Sequence, residues 1–231
     1  MGEKINIFDV EIPCIKAKEA MIRAMDYMEQ ESLNTIELLS MKMLLNGQED
    51  AQWKEQLTGL SMVLPGSVEI LEAAQVKDST LLRETDDKLF LRMFMKYMQK
   101  NHKKLFLLAE SEEKLDKAEE LLIRQNRGIQ IIGKAVITQD GELIQNVINA
   151  INGTETDCIL SVLSSPFQEQ FIQRNKALLN ARVWLGCGTA FRQNFEDMRL
   201  NNRIRHFVMK RLFRYRVGKQ NSQTDAENGI N

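Results

Sequence analysis

The chain has 231 residues, 43% of them hydrophobic and 27% charged, which is material for one large domain or a domain with an appendage. No stretch approaches 18 consecutive apolar residues, which excludes a membrane-crossing helix. The net charge of −1 hides an asymmetry: residues 199–219 carry eight Lys and Arg and no acid, leaving 23 basic against 30 acidic residues in 1–198.

The opening Met1-Gly-Glu-Lys-Ile-Asn-Ile lacks the apolar core of a secretory signal, and Asn6 stands where a myristoylation signal needs Ser or Thr. Ile5–Ile12 alternates in part and predicts a strand. Helix is predicted over Ile15–Met28, where Ala17, Met21, Met25 and Met28 recur at helical spacing. Thr35–Leu39 and Leu60–Leu64 are short apolar runs, the second stopped by Pro65-Gly66-Ser67, with a helix-like Met41–Leu45 between them. Val68–Ala74 and Leu89–Gln99 predict helices, and Lys104–Ala109 a strand. Ser111-Glu-Glu-Lys114 has the cap and early acids of a helix start, and the helix runs to about Gln125. Strand Ile129–Ala135, helix Gly141–Ile151, strand Ile159–Leu163, a helix opening at Gln168-Glu169 and strand Val183–Gly186 follow.

From Lys104 onward strands and helices alternate, which predicts an α/β fold with a mainly parallel, Rossmann-like sheet, helices on both faces and a basic helical appendage at the C-terminus. The expected division is an α/β domain over 1–197, a basic amphipathic appendage over 198–219 and a polar, disordered tail over 220–231. Cys14, Cys158 and Cys187 are odd in number, lack metal-site spacing and read as reduced thiols. No phosphate-loop or dinucleotide fingerprint occurs, and neither a metal nor a cofactor is expected. His102 and His206, the only histidines, stand near no Ser or Cys motif and read as exposed residues.

The most informative stretch is Val162-Leu-Ser-Ser-Pro-Phe-Gln-Glu-Gln-Phe-Ile-Gln-Arg-Asn175 with Cys187-Gly-Thr-Ala-Phe-Arg192 after it. Loops at the carboxyl ends of buried strands are where open α/β sheets bind ligands. The first segment is similar to the G-L-G-x-P-K-Q-E-x-W-I-x-x-N element of the WecG/TagA/CpsF glycosyltransferases. Ile7-Phe-Asp-Val-Glu-Ile12, Lys104–Ala109, Asn126–Gly133 and Lys210–Arg214 resemble further elements of that family in the same order, so the likeness extends over roughly residues 4–215.

The resemblance implies transfer of an N-acetylhexosamine-type sugar from a UDP-sugar to a polyprenyl-diphosphate-linked acceptor in cell-surface polysaccharide assembly. It also implies a cytoplasmic protein held peripherally at the inner face of the plasma membrane. It assigns Pro166, Gln168, Glu169 and Gly188 to the nucleotide-sugar. Gln168 and Glu169 on residue type alone read equally as polar residues of a helix start. The family's Asp in L-P-D-G, its candidate base, falls on Gly66, and the acid of its F-D element on Arg192. Glu69 is the nearest carboxylate that can stand in as base, against the plainer reading of a solvated helix-face Glu.

The basic segment resembles an appendage that lies against the membrane, with Arg203, Arg205, Lys210, Arg211 and Arg214 meeting membrane or acceptor phosphates. The alternatives are a core-packed helix with a solvated face, and a nucleic-acid-binding helix, which the lack of a stacking platform disfavours. Three functions follow as expectations. They are an active transferase with a displaced base, a degenerate relative that binds nucleotide-sugar, acceptor, an active paralogue or its own copies, and a membrane-surface scaffold.

Overall fold

The computed structural model describes residues 3–138, 141–188 and 200–228. Six strands form one parallel sheet in the order β4-β3-β8-β7-β5-β6. They are β3 (Asn34–Leu39), β4 (Met62–Pro65), β5 (Lys104–Ala109), β6 (Gln130–Val136), β7 (Cys158–Ser161) and β8 (Val183–Gly186). Every residue of β3, β4, β7 and β8 is buried, as apolar runs covered on both faces require. The edge strand β6 is only half-buried.

Alternation along β5 divides the core. Leu105 and Leu107 face a layer made by α1 (Ala17–Met28), α6 (Leu89–Lys100) and α7 (Glu112–Gln125). Phe106 and Leu108 face α8 (Gly141–Asn152) and α9 (Phe167–Asn175). The sheet thus has helices on both faces.

Ile5–Ile12, expected as one strand, is instead a hairpin of β1 (Lys4–Ile7) and β2 (Val10–Pro13). Phe8 and Asp9 turn the chain at φ of 53° and 64°, the pair of left-handed residues of a type I′ turn. Phe is a poor choice there by local preference, and its packing explains it. The Phe8 ring meets Phe213 edge-to-face at 6.0 Å, and Gln220 Oε1 accepts from the Phe8 amide at 2.8 Å. The hairpin lies on a third cluster built with α2 (Met41–Gly47), α3 (Ala51–Thr58), α4 (Val68–Ala73) and the last helix. Neither α3 nor α5 (Ser79–Asp86) is evident from sequence periodicity; each starts on an aspartate cap, Asp50 and Asp78.

The last helix, α10, runs from Leu200 to Asn228. It carries through 220–228, where composition predicts disorder, with no proline to stop it and with Gln220 bonded to the hairpin turn. Phe213 and Val217 are fully buried among the hairpin and α2–α4, so this helix is part of the core and not a detachable arm. Truncating a buried Phe costs about 3–5 kcal/mol, and Phe213 anchors α10 on that scale. Among the described residues no helix is long and apolar enough to cross a membrane.

Candidate functional site

The carboxyl ends of β4, β3, β8 and β7 stand side by side, and the loops that leave them converge. At the centre is Glu37, in the middle of β3 and fully buried. It sits in register with Gly186 of β8, and a Cβ on Gly186 would lie 1.9 Å from Glu37 Oε2. Only glycine leaves space for that carboxyl.

Gln168 Nε2 donates to Glu37 Oε2 at 2.6 Å from the first turn of α9. Glu169 is beside it, 1% exposed, with neither carboxyl oxygen hydrogen-bonded. Burial pushes the Glu37 carboxyl well above the usual carboxylate range, and the Glu169 charge adds to this against the opposing Gln168 bond. Burial also pushes Glu169 up. Its own amide, the Trp53 indole and Ser165 pull the other way, though none reaches hydrogen-bond geometry with the carboxylate.

Gln168 and Glu169, expected to bind the nucleotide-sugar from a helix start, stand in the first turn of α9 and are 0% and 1% exposed. Pro166, joined to Ser165 by a cis peptide, opens α9. Gly188 lies two residues past β8 with φ of +41°. These four family positions thus gather at one place, behind the strand ends. Arg192 lies outside the described residues.

A second group flanks the end of β4. Gly66 N donates to Leu39 O at 2.7 Å, and a Cβ on Gly66 would lie 2.5 Å from the same oxygen. The backbone has closed over the place where the related proteins would carry a carboxylate. Lys88, the left-handed residue that precedes α6, donates from Nζ to Gly66 O at 2.8 Å. Burial holds its ammonium below the usual lysine range, with Glu69 and Asp86 opposing. Lys88, Gly66, Leu38, Pro65, Glu84 and Thr85 line a half-open cleft with about 40 Å³ of room for water-sized molecules.

Glu69, on the first turn of α4, is not the solvated helix-face residue that its sequence position suggests. Its side chain is 12% exposed and bonds His206 Nε2 of α10 at 3.0 Å. Burial raises its pKa, but its own backbone amide and the His206 contact outweigh that and hold the carboxyl below its ordinary value. Ser67 assists without a hydrogen bond. His206, expected as an exposed residue, is half-buried. One turn further on, Glu72 pairs with Lys210 at 3.0 Å and Arg214 at 2.7 Å.

These contacts divide the five basic residues assigned to membrane or acceptor. Lys210 and Arg214 pair with Glu72 on the protein itself, as α10 packs its Phe213 side inward. Arg211 extends outward. The side chains of Arg203 and Arg205 lie outside the described residues.

The missing signal was Glu37. A glutamate inside Thr35-Ile-Glu-Leu-Leu39 is anomalous, because a strand covered on both faces has no solvent for a charge. That anomaly marks the site from sequence alone.

A parallel α/β sheet whose strand-end loops enclose buried carboxyls, a glutamine and a lysine defines a protein of the Rossmann-like, ligand-handling class. Within that class the chain belongs to the WecG/TagA/CpsF glycosyltransferase family, whose model matches residues 5–197. No curated protein matches it individually.

Proposed function

We propose that this chain transfers an N-acetylhexosamine-type sugar from a UDP-sugar to a polyprenyl-diphosphate-linked acceptor in cell-surface polysaccharide synthesis. The observation that carries this reading is the cleft at the ends of β3 and β4, where a partly buried cation borders the strand-end loops of a sugar-transferase fold. Lys88 Nζ spends one donor on Gly66 O, and its remaining donors suit the charge that develops on a departing diphosphate.

A second reading is favoured by one observation, the absence of space for any side chain at Gly66. In it the protein binds nucleotide-sugar, acceptor or an active relative and turns over nothing. Binding and turnover measured on one sample separate the two. Titration with UDP-N-acetylhexosamines gives saturable binding at millimolar ligand or below, several-fold weaker in Lys88→Met. Absence of saturable binding would overturn the transfer reading and the nucleotide-sugar form of the second.

Membrane attachment belongs to the same proposal. The outward face of α10 exposes Phe207 (66%), Val208 (58%), Leu212 (42%) and Tyr215 (70%) beside Arg211 and Lys219. Apolar side chains interleaved with cations suit an anionic leaflet, where each cation contributes up to about 1 kcal/mol. The protein is expected to pellet with anionic vesicles, to lose that binding as salt rises and to ignore neutral ones. Equal pelleting with both would refute the electrostatic account.

A further inference from the structure

We infer that His206 is the general base of this protein, held in place by Glu69, and that this pair supplies what position 66 cannot. The inference rests on the transfer reading above.

The geometry has three parts. First, the pair stands beside the strand end from which the related proteins present their carboxylate. Glu69 follows Gly66 by three residues on the first turn of α4, and its charge is felt at Lys88, which itself bonds Gly66 O. Second, the bond is directional. A carboxylate only accepts, so Nε2 of a neutral His206 carries the proton given to Glu69 Oε1 at 3.0 Å. That tautomer leaves the Nδ1 lone pair free, and Nδ1 has no hydrogen-bond partner among the described residues. Third, the His206 side chain is 30% exposed while that of Glu69 is 12% exposed. The imidazole is thus the member that an incoming hydroxyl can reach, and the carboxylate the member that orients it.

A carboxylate behind an imidazole is the general arrangement that fixes the tautomer and stabilises the imidazolium formed on proton uptake. The step balances as follows. The acceptor hydroxyl oxygen bonds to the anomeric carbon while its proton passes to His206 Nδ1. The bond from that carbon to the diphosphate oxygen breaks, and its electron pair leaves on the nucleoside diphosphate. His206 is the catalytic residue and Glu69 a positioning residue.

Among the described residues, the charged groups that face the pair are few. Lys88 approaches Glu69 from the start of α6, with Asp86 near Lys88. Glu72, Lys210 and Arg214 form a separate, internally balanced cluster one turn along α4 and α10. A simple helix clamp at Glu69–His206 would hold α10 in place but would not let free imidazole restore turnover to a variant that lacks the ring.

The test uses the full chain, UDP-N-acetylhexosamines and a polyprenyl-diphosphate-linked acceptor. His206→Gln keeps a donor towards Glu69 and removes the base. It should lower kcat about 10²–10⁴-fold with donor KM little changed. Glu69→Gln should lower kcat less, because the imidazolium formed on proton uptake loses its counter-charge. Free imidazole should restore part of the turnover of His206→Ala. Wild-type kcat in His206→Gln, or no imidazole rescue, would overturn the assignment and leave the transfer reading standing. A wild-type protein that binds donor and transfers nothing would also overturn the assignment, and would establish the binding-only reading. Failure to bind any donor would remove the transfer reading itself, and this inference with it.

Discussion

Glu37→Gln raises the stability of this protein at pH 7 and flattens its decline at higher pH. The fully buried Glu37 carboxyl titrates well above its ordinary 4.5, so between that value and its folded pKa the folded chain holds a proton that the unfolded chain has released. Stability therefore falls as pH rises through this window, by about 1.4 kcal/mol per pH unit for one such group. Gln keeps the shape and the hydrogen bond, after a flip of the Gln168 amide, without the titration. Glu169, raised by burial in the same way, leaves a residual slope. The carboxyls with lowered values, Glu69 and Glu110 among them, act in the opposite sense. Their contribution is complete above about 4.5 and is lost as pH falls below it, so they leave the neutral window unaffected. Urea unfolding of both proteins at pH 5, 6, 7 and 8 provides the check. Parallel stability curves would show that Glu37 titrates normally and that its burial is relieved in solution.

Gly66→Asp destabilises the protein and does not speed transfer. Matching the family's motif alone makes this the obvious repair, since it returns a carboxylate to the family position. The structure predicts the reverse, because the new Cβ would lie 2.5 Å from Leu39 O and 3.1 Å from Leu38 C and O. The loop cannot recede freely, as Gly66 N is bonded to that Leu39 oxygen at 2.7 Å and Lys88 Nζ to Gly66 O. Overpacking of this kind costs about 1–3 kcal/mol or more. Chemical denaturation and the transfer assay on the same variant decide the point. A variant as stable as the parent and faster in transfer would show that the loop opens readily and that the missing carboxylate was the defect.

Most of the sheet was legible because its signal is local. Runs such as Cys158-Ile-Leu160 and Val183-Trp-Leu-Gly186 are unbroken by charged residues, as a strand covered on both faces requires. Lys104–Ala109 and the Ser111-capped helix after it carry their boundaries in adjacent residues. The hairpin was not legible. Nothing in Ile7-Phe-Asp-Val10 announces a type I′ turn, since the left-handed Phe8 is justified only by a ring 205 positions away.

The site divides along the same line. Residues 162–175 and 187–188 place a strand-to-helix loop at the sheet's carboxyl edge, because the order of apolar run, turn and helix start is written in consecutive residues. What Gln168 and Glu69 contact is written nowhere locally. Gln168 meets Glu37 across 131 residues and Glu69 meets His206 across 137, and each contact exists only because parallel strands and a returning helix bring distant segments together. The face of α10 that turns inward follows the same rule. Its alternation of basic and apolar residues is compatible with membrane, solvent or core. The hairpin and α2–α4 settle it by burying Phe213 and Val217 and by pairing Glu72 with Lys210 and Arg214, which leaves Phe207, Val208, Leu212 and Tyr215 outside. Periodicity specifies how strongly a helix is two-sided, whereas the choice of side depends on what surface the rest of the chain presents to it.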